Sequence, residues 1–171
     1  MMCFVVKILE TRNAALVTCS GKLHCDEAAA ALPHGYPYAI ITDSTGERKR
    51  REILADCQTG KYKIIFQIGC LTTGVNQPLW DTSVILRKIG SLTLMIQLLG
   101  RGMRKLKKAH IDAGFKKEDH LVLDFAGALD DMAELYFDPI IEEIQAEKFK
   151  SSRKGGDEVR HCPQCGYENS P

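Results

Sequence analysis

Five short apolar runs constrain this chain more than any other feature. They are AALVTC at 14–19, YAIIT at 38–42, KIIFQI at 63–68, TSVILR at 82–87 and HLVLDF at 120–125. None shows the strict polar–apolar alternation of a strand with one wet face, so each reads as a strand covered on both sides. The segments between them read as helices. Asp26–Leu32 is alanine-rich and is ended by Pro33, His34 and Gly35. Ser44 stands three residues before Glu47, a capping-box spacing, and opens a helix running to about Cys57 with Gly60 as its stop. Ser91 caps SLTLMIQLL, an apolar-faced helix that ends near Gly100 or Met103. Asp130–Lys150 is a last helix, interrupted at Pro139. Strands alternating with helices predict an α/β fold, a mostly parallel central sheet between helical layers.

Length and charge set the outer bounds. A chain of 171 residues with 44% hydrophobic content builds one compact domain with room for a small appendage. SSRKGGD at 151–157 reads as a linker, which gives a domain over 1–150 and a tail over 151–171. Net charge is +1, so bulk charge does not announce nucleic acid. The charge is uneven, however: Arg101–Lys117 is basic with Asp112 as its lone acid, and 130–147 is acidic. Seven cysteines, an odd number mostly inside apolar runs, fit a reducing, intracellular setting. No run reaches the roughly 18 apolar residues that span a membrane, so no membrane partner is expected. The start, MMCFVVKILE, has neither a basic leader nor a cleavage signal, and secretion is not expected.

Ligands of parallel sheets sit at the carboxyl ends of the strands. Ser20-Gly21-Lys22, Asp43-Ser44-Thr45 and Thr72–Asn76 each follow a strand, which places them on one edge. Thr72–Asn76, with hydroxyls, a glycine and an amide, could hold phosphates, although its composition is also that of an ordinary turn. Arg101 and Arg104 are three residues apart and would point the same way on a helix. Guanidinium forks match phosphate oxygens, and Gly100 and Gly102 would allow close backbone approach. The plain alternative is a pair of surface arginines favoured by a helix C-terminus. In the tail, Cys162 and Cys165, with Gly166 after them, have the spacing of a zinc knuckle. His161 is a poorly spaced third ligand, so the tail reads as the first half of a zinc ribbon, the alternative being two free thiols. Trp80 is expected to pack under the fourth strand, and His24, His34, His110 and His120 have no assignable partner.

Taken together, these segments resemble the C-terminal RecA-like domain of superfamily-two helicases over about Ala14–Gly127. ALVTCSGKLHCDEAAAAL is similar to the region around motif IV, and TDSTGERKRREILADCQTGKYKIIFQIGCLTTGVNQP to the approach into motif V. SLTLMIQLLGRGMR followed by HLVLDFAG resembles motif VI and the strand after it. The likeness is nearest the DEAD/DEAH-like branch related to type III restriction subunits and phage helicases. It implies a RecA-like three-layer sandwich and an ATP-dependent motor acting on DNA, ahead of RNA. By position, Arg104 would be an arginine finger, with Arg101 assisting and Gln97 in the same network. Gly74, Asn76 and Gly100 would face the nucleotide. Thr72 and Thr73 would touch the nucleic-acid backbone, with Ser20, Lys22 and Arg50 as further phosphate contacts. The family usually carries aspartate at position 76; Asn76 keeps an acceptor and loses the charge.

The sequence contains no Gly-x-x-x-x-Gly-Lys-Ser/Thr phosphate loop. Asp26-Glu27-Ala28-Ala29 mimics a DEAD box by letter, but it opens a helix where a magnesium-holding acidic pair should end a strand. Asp124 ends a strand alone and reads as structural. ATP and Mg²⁺ would therefore be shared with an N-terminal RecA-like domain carrying the phosphate loop, and this chain by itself would not turn over ATP. The other functional class open to it is a non-catalytic module that binds nucleic acid or protein.

Overall fold

The computed structural model describes residues 1–69 and 75–131, together with the short strands at 160–161 and 168–169. Five strands form one sheet: β1 (Ala14–Thr18), β2 (Tyr38–Ile41), β3 (Ile64–Gln67), β4 (Trp80–Ile85) and β5 (Leu121–Asp124). Their order is β2-β3-β1-β4-β5, and every pairing is parallel. All five apolar runs are strands, and the expected parallel α/β sheet is the one observed. β1 lies at the centre, with Thr18 between Gln67 and Ile85.

Helices α1 (Met2–Ile8), α2 (Lys22–Ala30), α3 (Glu47–Gln58), α4 (Leu92–Gly102) and α5 (Lys108–Asp112) complete the unit. Right-handed crossovers decide their faces. The β1-α2-β2 connection steps one way along the sheet; β2-α3-β3 and β4-α4-β5 step the other. Helix α2 therefore covers one face, and α3 and α4 cover the opposite one. On the first face Met2, Val5 and Leu9 meet Ala15, Val17, Ile64, Phe66 and Val84, with Cys25, Ala28 and Ala29 of α2 beside them. Met2, Val5 and Leu9 follow the i, i+3, i+7 stripe of an amphipathic helix, which gives the opening decapeptide a core role that its sequence had not been assigned.

Several boundaries differ from expectation for identifiable reasons. Helix α2 starts at Lys22, with Gly21 as its N-cap and no side-chain cap. The helix thus begins four residues before the expected Asp26. Helix α3 has Gly46 as N-cap, again without a side-chain cap. The Ser44 capping box does not form, because Ser44 Oγ pairs with Thr42 Oγ1 at 2.8 Å and Thr45 Oγ1 accepts from Thr42 N at 2.9 Å. Ser91 does cap α4, its Oγ accepting from Leu94 N. Trp80 is the first residue of β4, 1% exposed, and lies in the strand. Asp26 and Glu27 are exposed on α2 and end no strand. Asp124 is structural: its Oδ1 accepts from Ala126 N at 2.9 Å and its Oδ2 from Leu129 N at 2.7 Å.

Met1–Leu129 forms one compact unit and Asp130–Pro171 a second. Within the second, Arg160–His161 pairs antiparallel with Glu168–Asn169. Cys162 and Cys165, and the helix expected over 130–150 beyond Asp131, lie outside the described residues.

Candidate functional site

Because the sheet is wholly parallel, the strands share one exit edge and one entry edge. Ser20, Lys22 and Arg50 stand on the exit edge. Ser20 and Lys22 are exposed, and Ser20 Oγ meets His24 Nδ1 at 2.9 Å, so His24 has a partner after all. Helix α2 lacks a side-chain cap here, leaving its first N–H groups directed at this edge. Arg50 is half-buried and donates from Nη2 to the Thr42 carbonyl at 3.0 Å. Arg87, two residues beyond β4, shares the edge and had no assigned role in the sequence. The available signal was a cation directly after a strand with no polar alternation.

The chain crosses from the exit of β3 to the entry of β4 through residues 68–79. Thr72, Thr73 and Gly74 lie outside the described residues. Asn76 is exposed, but it does not stand with Ser20 as expected. Its neighbour Gln77 is buried and donates from Nε2 to the Leu54 carbonyl at 2.6 Å. Asn76 thus sits at the approach to β4, on the opposite edge.

The arginines lie on that entry edge too, since α4 must run back to reach the start of β5. Arg101 is 5% exposed, and its Nη1 donates to the Val75 carbonyl at 2.6 Å. Burial, and then the neighbouring charge of Arg104, lower its pKa. Helix α4 ends at Gly102 with Met103 as C-cap, and Arg104 beyond it is exposed. The two arginines therefore do not present one shared face: one is bound inside and the other is free outside. Gln97 and Gly100 are exposed on α4 at i, i+3 spacing and Arg104 is exposed past its end, while Met95 and Leu98 face inward. The glycines also differ. A Cβ on Gly100 would meet nothing within 4 Å, whereas one on Gly102 would collide with the His120 imidazole. Close approach is needed at Gly102 alone.

Around Arg104 the wall is fixed by a single cation. Lys117 Nζ donates to the carbonyls of Pro78 at 2.8 Å, Trp80 at 2.9 Å and Arg104 at 2.9 Å. Burial lowers its pKa. His120 Nε2 meets Ser83 Oγ at 2.9 Å, giving that histidine a partner as well; burial and then the Lys117 charge hold its pKa down. Arg12 Nη1 pairs with Asp119 at 2.7 Å. Beside these bonds lies an open cleft of about 810 Å³ whose lining includes Met103, Arg104, Lys105, Ile111, Phe115 and Lys116. Arg104, Lys105, Lys116 and Lys117 share that lining with the acids Glu118 and Asp119 and with apolar side chains. Among the described residues no group of three or more His, Cys, Asp or Glu could hold a metal ion. Among them, too, no helix is long and apolar enough to cross a membrane.

Known proteins share the fold of this chain and, over part of it, its sequence. A Saccharomyces cerevisiae protein, IRC3, named as a candidate ATP-dependent helicase, is 28% identical over 89 residues, which are 52% of this chain and 12% of that protein. A fragment assigned to an HsdR subunit of a type I restriction enzyme from Vibrio vulnificus superposes with a TM-score of 0.63 at 24% identity, covering 77% of this chain and 27% of that one. The C-terminal domain of S. cerevisiae Dbp5, bound to Gle1 and IP6, gives a TM-score of 0.61 at 14% identity, covering 80% and 76%. These structures establish the fold as that of RecA-like helicase C-terminal domains. Residues 2–105 match the helicase conserved C-terminal domain, and the chain belongs to that family.

Proposed function

We propose that this chain is the second motor half of an ATP-dependent helicase or translocase that acts on DNA. A partner RecA-like domain with the phosphate loop would hold ATP and Mg²⁺, and this chain would supply the arginine finger. The observation that carries the reading is the contrast between Arg101 and Arg104. Arg101 Nη1 is bound to the Val75 carbonyl, so it ties the end of α4 to the segment before β4. Arg104, exposed one residue past the helix cap, is left free to reach a phosphate across a domain cleft. Its charge would stabilise the oxygens that gain charge in the transition state. Gln97, Gly100 and Asn76 are exposed, and Gly100 and Asn76, together with Gly74, would face the nucleotide. Ser20, Lys22 and Arg50 on the exit edge would hold the nucleic-acid backbone together with Thr72 and Thr73, positioning the strand without reading its sequence. Alone, the chain would not turn over ATP. In the tail, the Cys-x-x-Cys spacing of Cys162 and Cys165 would bind Zn²⁺.

The test is complementation. A phosphate-loop domain is added in trans or by tether, and nucleic-acid-stimulated ATP turnover is recorded. Wild-type chain should restore turnover, and Arg104→Ala should lower it on the order of 10³-fold. No turnover with either chain, while nucleic acid is still bound, would instead identify a non-catalytic binding module.

A further inference from the structure

The exit edge holds a cation that nothing above employs. Arg87 leaves β4, which sits beside the central β1. The backbone there is fixed, since Leu86 N donates to the Thr18 carbonyl at 2.9 Å. From this position the side chain does not turn outward beside its own strand. Its Nη2 comes within 3.8 Å of where a Gly69 Cβ would stand, beyond the end of β3. In the order β3-β1-β4 the guanidinium therefore passes over the exit of β1, the place where Ser20, Lys22 and the uncapped start of α2 emerge.

Arg87 is half-buried, yet its Nε is buried with no acceptor. Among the described residues it forms no ion pair, whereas Arg12, Arg48 and Arg51 each have a carboxylate. A guanidinium held against the protein without an acid, beside unsatisfied N–H groups and a lysine, is arranged for an anion supplied from outside. Arg50 and Arg101 also bury an Nε without a partner, but each places a terminal nitrogen on a protein oxygen, at the Thr42 and Val75 carbonyls.

We infer that Arg87 is a phosphate-contacting residue of the nucleic-acid grip, clamping one backbone phosphate over the exit of β1 together with Ser20 and Lys22. The inference rests on the exit-edge grip proposed above. It adds a residue of the centre of the sheet to that grip, so that the bound phosphate sits over the rigid middle of the domain.

Fluorescence anisotropy with a labelled single-stranded oligodeoxynucleotide tests this on the whole chain across a salt series. Arg87→Gln should bind about tenfold more weakly, since charge-assisted contacts are worth roughly that. It should also reduce the slope of log K against log salt by about 0.7, one phosphate's share on a single strand. Arg87→Lys should restore the slope while recovering only part of the affinity, because it keeps the charge and loses the fork. Melting temperatures within about 2 °C of wild type would show that the variants fold. If Lys22→Ala lowers the slope and Arg87→Gln does not, the role of Arg87 is refuted and the grip stands. If wild type binds no oligonucleotide at low salt, grip and inference fall together.

Discussion

Substituting Gly102 by alanine isolates the closest packing at the entry edge. The added methyl would collide with the His120 ring. That ring is half-buried, bonded through Nε2 to Ser83, and cannot withdraw without losing the 2.9 Å contact. Overpacking of this kind costs about 1–3 kcal/mol, and the lost hydrogen bond about 1 kcal/mol. Alanine's better helix propensity returns at most about 1 kcal/mol, and less at the last residue of α4. The net expectation is a loss of about 2 kcal/mol, or roughly 4–8 °C in melting temperature for a chain of this size. Gly100→Ala is the internal control. It is exposed and meets nothing within 4 Å, so it should gain up to about 1 kcal/mol. Thermal and guanidinium unfolding of both variants, and of Gly102→Ala in a His120→Ala background, completes a double-mutant cycle. The reasoning is refuted if Gly102→Ala melts like wild type, or if its loss persists undiminished once the imidazole is gone.

Three further outcomes follow from the same edge. Arg101→Ala should destabilise by about 2–3 kcal/mol in chemical denaturation, because it opens a void and orphans the Val75 carbonyl, while exposed Arg104→Ala should leave the midpoint unchanged. Lys117→Met should cost about 2–4 kcal/mol, since three carbonyls lose their shared donor. His120 has a depressed pKa in the fold, so the unfolded chain binds more protons in mildly acid solution. Its stabilising share is complete above the ordinary value of 6.5 and is lost as pH falls from there through the folded value. Melting temperature should therefore drop between pH 7.5 and 5.5, and His120→Asn should flatten that dependence.

The strands were legible because their runs are apolar without alternation, and burial on both faces is what a parallel sheet imposes. Ser91 was legible as a cap from its place just before an apolar helical run, and its hydroxyl accepts from Leu94 N. Ser44 had the same spacing signature and failed, because Thr42 offered hydroxyl and N–H partners two and three residues away. The two arginines illustrate another limit. Spacing on a helix implies a common direction, but the helix ends at Gly102, within the Gly100–Met103 bound read from the sequence, and Arg104 already lies past it. Asn76 was assigned to the wrong edge because a long strand-to-strand connection leaves one edge and arrives at the other. Arg87 carried a readable signal, a cation ending a buried run, but its path across β1 exists only once β3 has docked.

That central position of β1 also bears on how the domain is made. Ala15 pairs with Ile64, 49 residues later, and with Thr82, 67 residues later. Both neighbours of the middle strand are thus distant in sequence, and their loop closures must precede any gain from pairing. A chain emerging from the ribosome at about 5–20 residues per second holds β1 without a partner for several seconds. During that interval its apolar faces and open backbone groups are a template for pairing with other chains. Slow synthesis between β1 and β4 should accordingly raise aggregation, and a chaperone meeting the nascent chain should find its target at Ala14–Thr18.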